Sequence, residues 1–444
     1  MNTPNSGPII APFRGTRYHL TQVEDLSKVT APPYDVISPE GQKKLYDRDP
    51  HNIIRLILGY QRPDDNDQNN RYTRSAADLK AWVESGVLAR EREPSFYLYE
   101  QHFSAKTLDG EKTFIRRGFL ALRRLEEFGK GIRPHEKTLA GPKADRLLLT
   151  KSCRANLSPV FSLYSDPEGR LSDLMRKHFE KPPVADFADD DGVRQRLWAV
   201  SDPELFRKTN EIVGAKSLFI ADGHHRYETA VAYRNFLREQ NPNAPEDASF
   251  NYVMMFFSEM SDPGLLILPT HRVLHDWPGF DAASFEKSLR EWFEIGVFSS
   301  DQEEAFLEKL QAVGRVGGHA FGMALAGRKD FQLLILKENR KAEVSQVDTA
   351  ILHQILLKGM LGLKEDDEKD PRFMRFVKDL QESIAARREP HVNAVFLVNP
   401  TPMQVLRDVA EQGQILPPKT TFFYPKLVSG LVLNQIVPEE RVAI

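Results

Sequence analysis

The segment Ser217-Leu218-Phe219-Ile220-Ala221-Asp222-Gly223-His224-His225-Arg226-Tyr227-Glu228-Thr229-Ala230 decides the reading of this chain. Five mostly apolar residues give the pattern of a buried strand, and an Asp-Gly step then opens a helix running to about Glu239. Gly223 permits a tight turn and close approach of a ligand to the backbone. Asp222 is placed to cap the helix. The first turn offers unsatisfied N–H groups and the positive end of the helix dipole, with His224, His225 and Arg226 as further donors. That combination is suited to an anion or a phosphate. A capped turn with two surface histidines is the plainer reading. A metal pair from His224 and His225 is disfavoured, because adjacent helical residues point about 100° apart.

Strand-like and helix-like segments alternate outward from this turn. Ile53–Leu58 reads as a strand and Thr73–Glu84 as a helix. Ser95–Phe103 and Thr113–Leu122 read as strands joined at Asp109-Gly110, a hairpin signal. Pro159–Tyr164, Leu197–Val200, Tyr252–Phe257 and Leu265–Leu268 read as strands, and Leu171–Phe179 and Pro203–Val213 as helices. Trp277-Pro278-Gly279 suggests a boundary, giving domains 1–276 and 277–444. In the second, helices are expected over 282–293, 301–313, 348–361, 371–387 and 402–412, with a hairpin at Gly327–Asp330 and a strand at Ala394–Val398. The fold class is therefore α+β, a mixed α/β arrangement.

Four further segments concentrate chemistry. Arg133-Pro134-His135-Glu136 and Lys143-Ala144-Asp145-Arg146 offer a base for a hydroxyl and cations for phosphates. Pro32-Pro33-Tyr34-Asp35 and His51-Asn52-Ile53-Ile54-Arg55 offer Asp35, Asn52 and Arg55 as ligand contacts, with structural roles equally open. Thr270-His271-Arg272 ends a strand. Pro417-Pro418-Lys419 through Tyr424-Pro425-Lys426 reads as a rigid loop that returns to the site, or as a packing tail.

The 444 residues are 41% hydrophobic and 28% charged, an ordinary globular composition. Sixty basic against 63 acidic residues leave a net charge of −3, which gives no drive toward nucleic acid or an anionic membrane. Cys153 is the only cysteine, so neither an intrachain disulfide nor a cysteine-based zinc site can form. The polar start lacks a signal pattern and no apolar run reaches membrane length, so a cytoplasmic protein is expected. P-loop, dinucleotide-binding and nucleophile-elbow motifs are absent.

Taken in order, Pro-Pro-Tyr-Asp-Val-Ile-Ser, His-Asn-x-x-Arg-Leu, Arg-Pro-His-Glu-x-Thr, Gly-Pro-Lys-x-Asp-Arg, Ala-Asp-Gly-His-His-Arg-Tyr-Glu-Thr-Ala, Leu-Pro-Thr-His-Arg-Val and Thr-Phe-Phe-Tyr-Pro-Lys resemble the DUF1015 family, from Pro8 to Leu433. The Asp222–Arg226 turn also resembles the phosphate-binding box of the ParB/sulfiredoxin-like fold. It is similar to that of free serine kinases, which place a catalytic Glu in a Pro-His-Glu context like that of Glu136.

The resemblance implies a ParB-like core with an added C-terminal α+β domain, ATP or ADP as donor, Mg²⁺, and free L-serine or a similar small hydroxylated metabolite as acceptor. A phosphatase on the corresponding phosphoester is a close variant. Carried over, Gly223, His224, His225 and Arg226 would hold the phosphates, with Lys143, Arg146 or Lys419 beside them. Glu136, with His135, would take the hydroxyl proton, and Asp222 or Asp145 would bind Mg²⁺. Asp35 and Arg272 would meet the acceptor's ammonium and carboxylate, with Asn52, Arg55, His271 and Lys419 as further contacts. Two other readings stand: a nucleotide-binding regulatory module without catalysis, and a metal-dependent hydrolase using His135, Glu136, His224, His225 and His271. The C-terminal domain either closes over the site or serves a homodimer.

Overall fold

The computed structural model describes residues 7–107, 110–136, 140–414, 416–417 and 419–444. The chain is mixed α/β and divides into two compact units. The first comprises residues 1–106, 111–265 and 425–444; the second comprises 107–110 and 266–424. The division thus precedes Leu266–Leu268 instead of following His271–His275 as expected. The last twenty residues belong to the first unit, not to a separate C-terminal domain.

Among the described residues the first unit holds a nine-stranded mixed sheet. Its order is Ile132–Arg133, Leu218–Asp222, Val160–Tyr164, Tyr252–Glu259, Gly110–Arg124, Phe96–Thr107, Arg194–Val200 and Ala185–Ala188, with Ile10–Ala11 on Gly110–Arg124. Leu218–Asp222 is parallel to Ile132–Arg133 and antiparallel to Val160–Tyr164, which in turn is parallel to Tyr252–Glu259. One face buries Leu98, Phe119, Leu218, Ile220, Met255 and Phe257 under the helices Pro203–Thr209 and His224–Gln240. The returning C-terminal residues bridge Thr16 through Leu433 and Ala31 through Ser429.

The second unit is built on an antiparallel sheet ordered Phe293–Phe298, Phe331–Leu336, Ala320–Leu325, Val392–Val398, His271–His275 and Met374–Val377. Alternation along Ala320–Leu325 sends Phe321, Met323 and Leu325 to one core, and Ala320 and Ala324 to the other. Gly322 keeps the second face close to its helix: a Cβ there would meet Phe306 at 2.7 Å. No described helix is long and apolar enough to cross a membrane.

Two expected elements differ. Residues 53–58 do not form a strand; Ile54–Ile57 is a short helix whose first N–H donates to Asn52 Oδ1 at 2.9 Å. Ile53, Ile54, Leu56 and Ile57 are buried around the turn, which removes the periodicity that would have marked a helix. The helix expected over 371–387 splits into the strand Met374–Val377, paired with His271–Leu274, and the helix Leu380–Ala386, capped by Asp379.

Candidate functional site

The strand Leu218–Asp222 carries the chain to Gly223, which has φ 90° and is the N-cap of His224–Gln240. No side chain caps this helix. The expectation that Asp222 would do so is corrected: Asp222 accepts from Arg226 through Oδ2 and from Lys426 through Oδ1. Two cations outcompete the backbone N–H groups for one carboxylate, and they hold its pKa below the usual range despite burial. No side-chain cap from Asp222 thus covers the positive end of the helix dipole.

Arg226 folds over Gly223, where a Cβ would lie 2.8 Å from its Nε, and also donates to the Pro159 carbonyl. With Arg146, Tyr34, Ser158 and Thr229 it lines a narrow pocket beside the helix. The Thr229 hydroxyl is buried there without a hydrogen-bond partner among the described residues.

Parallel pairing of Ile132–Arg133 with Leu218–Phe219 delivers Pro134–Glu136 alongside the turn. His135 and His224 are both buried, their rings edge-on at 4.8 Å. The His135 backbone N–H donates to Nε2 of His224 at 3.3 Å, so that nitrogen is unprotonated and His224 is neutral. Burial pushes the His135 imidazole down to about 4, and burial with the neighbouring His135 holds His224 well below its ordinary value. His225 is less enclosed. Its pKa is lowered by burial, against the opposing charges of Glu136, Glu228 and Asp35. Glu228 pairs with Lys143 at 2.8 Å. Glu136, His225, Glu228, Lys143 and the exposed Asp35 are thus electrostatic neighbours at the helix start.

Of the remaining sequence candidates only Arg146 lines the pocket beside the helix; the others go elsewhere. Asn52 is fully buried and donates to the carbonyls of Lys28 and Thr30, a structural post. Arg55 stacks on Tyr46 and donates to its carbonyl at 2.9 Å. Arg146 lies over the Tyr34 ring at 4.0 Å and binds the Ile57 carbonyl and Asp145. His271, Arg272 and Lys419 belong to the second unit. There His271 Nδ1 accepts from Val398 N, and Arg272 donates to the carbonyls of Thr270 and Lys419. Residues 137–139 of the Pro-His-Glu segment lie outside the described residues.

Neither proposed Mg²⁺ ligand fits a protein-held metal. Asp222 is taken by two cations, and Asp145 accepts from Arg71, Tyr72 and Arg146. Among the described residues no three His, Cys, Asp or Glu side chains are placed to hold a metal ion, which also removes geometric support from the hydrolase reading. The residue that sequence reasoning passed over is Lys426. It sits seven positions beyond Lys419 in the same Pro-flanked segment, and the Tyr-Pro-Lys ending was its only signal.

A family model described as a protein of unknown function, DUF1015, matches residues 10–351. No functionally curated protein matches the chain in sequence. Several solved structures resemble the chain. A conserved hypothetical protein from Pyrococcus furiosus has 12% identity over 69% of this chain and 92% of its own, with TM-score 0.34. A free serine kinase in complex with AMP has 11% identity over 66% of this chain and 83% of its own, with TM-score 0.34. SbnI from Staphylococcus aureus, truncated at its C-terminus, has 10% identity over 72% of this chain and 89% of its own, with TM-score 0.35.

Proposed function

This chain belongs to the DUF1015 family, and from its strand-to-helix turn we propose that it transfers a phosphoryl group from ATP or ADP to the hydroxyl of a small metabolite, free L-serine first among the candidates. The observation that carries the reading is the helix start at Gly223: a left-handed glycine, no side-chain cap, and the Arg226 guanidinium folded against it. Supporting it are the adjoining pocket with Arg146 and Arg226 and the unpartnered hydroxyl of Thr229. The resemblance of Asp222–Arg226 and of Pro134–Glu136 to the serine-kinase motifs selects the reaction.

In this reading the first-turn N–H groups, His225 and Arg226 hold the nucleotide phosphates. When bound, the nucleotide supplies the phosphoryl group and brings any Mg²⁺ on its own phosphates, since Asp222 and Asp145 are already engaged by cations. Glu136 accepts the proton of the acceptor hydroxyl. Lys143 and Arg146 neutralise charge at the site, and the neutral His135–His224 pair keeps the base of the turn rigid. Phosphoryl transfer asks mainly for such positioning and charge neutralisation.

The test is a ³¹P NMR assay with Mg²⁺, ATP or ADP, and a panel of free amino acids and hydroxy acids. A new phosphoester is expected. It should be lost in Glu136→Gln with nucleotide binding kept, and lost together with binding in Arg226→Ala. Nucleotide binding without any product, unchanged by Glu136→Gln, would instead make the protein a nucleotide-binding regulatory module.

A further inference from the structure

The second unit carries a basic cleft that the proposed reaction does not use. It lies between the hairpin turn Ala326–Lys329 and the chain leaving the helix Leu380–Ala386, has a volume of about 700 Å³, and its charged lining is Arg328, Lys329, Arg387, Arg388 and His391 with one carboxylate, Glu389. Arg387 is 7% exposed and stands over the Phe331 ring at 4.3 Å. Its Nη1 is buried with no hydrogen-bond partner among the described residues. A buried guanidinium nitrogen left without an acceptor is costly, and a bound ion or water is one way to satisfy it.

The acidic groups around it are spent or out of reach. Asp330 accepts both nitrogens of one edge of Arg328, at 2.9 and 2.6 Å, and Glu286 takes the third at 2.6 Å. Glu389 is bound by Arg375 at 2.9 Å, and Asp276 by His391 at 3.0 Å. Glu303 and Asp330 act on Arg387 through space, without a hydrogen bond. Lys329 and Arg388 are exposed at the rim.

We infer that this cleft is a binding site for a phosphate-class oxyanion, with Arg387, whose Nη1 has no partner among the described residues, at its floor and Lys329 and Arg388 as its rim. A guanidinium matches the planar oxygen pair of phosphate, and its burial strengthens the interaction. The volume admits a phosphorylated small molecule as well as inorganic phosphate. This site lies wholly in the second unit and does not depend on the reaction proposed for the first.

The experiment uses the full chain with Arg226→Ala in place, so that the first unit's proposed phosphate site is silenced. Inorganic phosphate and glucose 6-phosphate are each titrated by calorimetry. One site is expected, weakened roughly tenfold or more by Arg387→Met, which keeps the length packed on Phe331. Because that variant can unfold locally, the exposed pair Lys329→Ala/Arg388→Ala serves as a second arm and is expected to weaken binding without changing the melting temperature. Binding of both probes assigns a phosphomonoester site, and binding of phosphate alone a site for the free ion. No binding, or affinity unchanged in the Lys329/Arg388 pair, overturns the inference. So does a single-stranded oligonucleotide that binds through these residues when neither phosphate probe does.

Discussion

Lys426 donates to Oδ1 of Asp222 across 204 positions of chain, and so the C-terminal segment closes the electrostatics of a turn laid down in the middle of the sequence. Both side chains are largely buried, at 14% and 15% exposure. Removing one partner of a buried charge pair leaves the other uncompensated, although Arg226 still holds Asp222. Lys426→Met is therefore expected to destabilise the first unit by roughly 2–4 kcal/mol, read by urea unfolding. Asp222 has a depressed folded pKa, so its contribution is full above the unfolded carboxylate value and is lost as pH falls through the folded one. In Lys426→Met the folded value rises toward the unfolded one, so that acid loss should be smaller and be complete at higher pH; an unchanged acid profile would mean the ammonium does not act on Asp222.

Gly223 is the second pressure point. Its φ of 90° is strained for any other residue, and an added Cβ would sit 2.8 Å from Arg226 Nε. Gly223→Ala should cost about 1–2 kcal/mol in stability and push the guanidinium off Asp222. The larger effect should be on ligand affinity: nucleotide binding by calorimetry is expected to fall at least as far as in Arg226→Lys. A variant that loses stability but binds normally would separate the turn from the ligand.

The buried histidine pair makes the fold acid-sensitive in a defined window. His135 has a folded value of about 4, below its ordinary 6.5, and His224 is also held well below 6.5. The unfolded chain therefore binds more protons, and stability, full above pH 6.5, declines as pH falls toward 4. For His135 alone the loss is of order 3 kcal/mol. Melting temperatures taken from pH 7.5 to 4.5 should fall steeply in the wild type and less in His135→Gln. Parallel curves for the two would show that the imidazole is not titrating in this range.

The strand-to-helix turn was legible because its signals are local: an apolar run, Asp-Gly, then side chains at helical spacing. The strands Val160–Tyr164 and Tyr252–Glu259 beside it were legible for the same reason. What escaped is what depends on partners far along the chain. Asp222 reads as a cap from its neighbours, and only Lys426 and Arg226 redirect its carboxylate. Lys419 and Lys426 share one Pro-rich segment, and nothing local says that the chain changes units between Tyr424 and Pro425. Ile53–Leu58 looks like a strand because complete burial erases the helical stripe. Asn52 and Arg55, polar within an apolar run, look like ligand contacts when they are backbone braces.

The placement of Lys426 itself traces to a residue with no sequence signature. Arg116 is fully buried, stacks on Phe161 at 4.8 Å, and donates to the Pro425 carbonyl at 2.6 Å. It also donates to Oε1 of Gln101, whose amide in turn donates to the Lys426 carbonyl at 3.2 Å. Burial lowers the guanidinium to about 10, so it remains charged at neutral pH. Arg116 is thus a positioning residue that acts through the Pro425–Lys426 backbone. If so, Arg116→Met and Lys426→Met should be coupled. Once Arg116 is gone, removing the ammonium should cost less than in the wild type, by about 1 kcal/mol or more in a double-mutant cycle. A structural role alone would give additive losses in urea unfolding. The discriminating readout is the acid profile of Asp222, which Arg116→Met should move in the same direction as Lys426→Met, while Phe161→Leu, which removes only the stacking surface, should leave it in place.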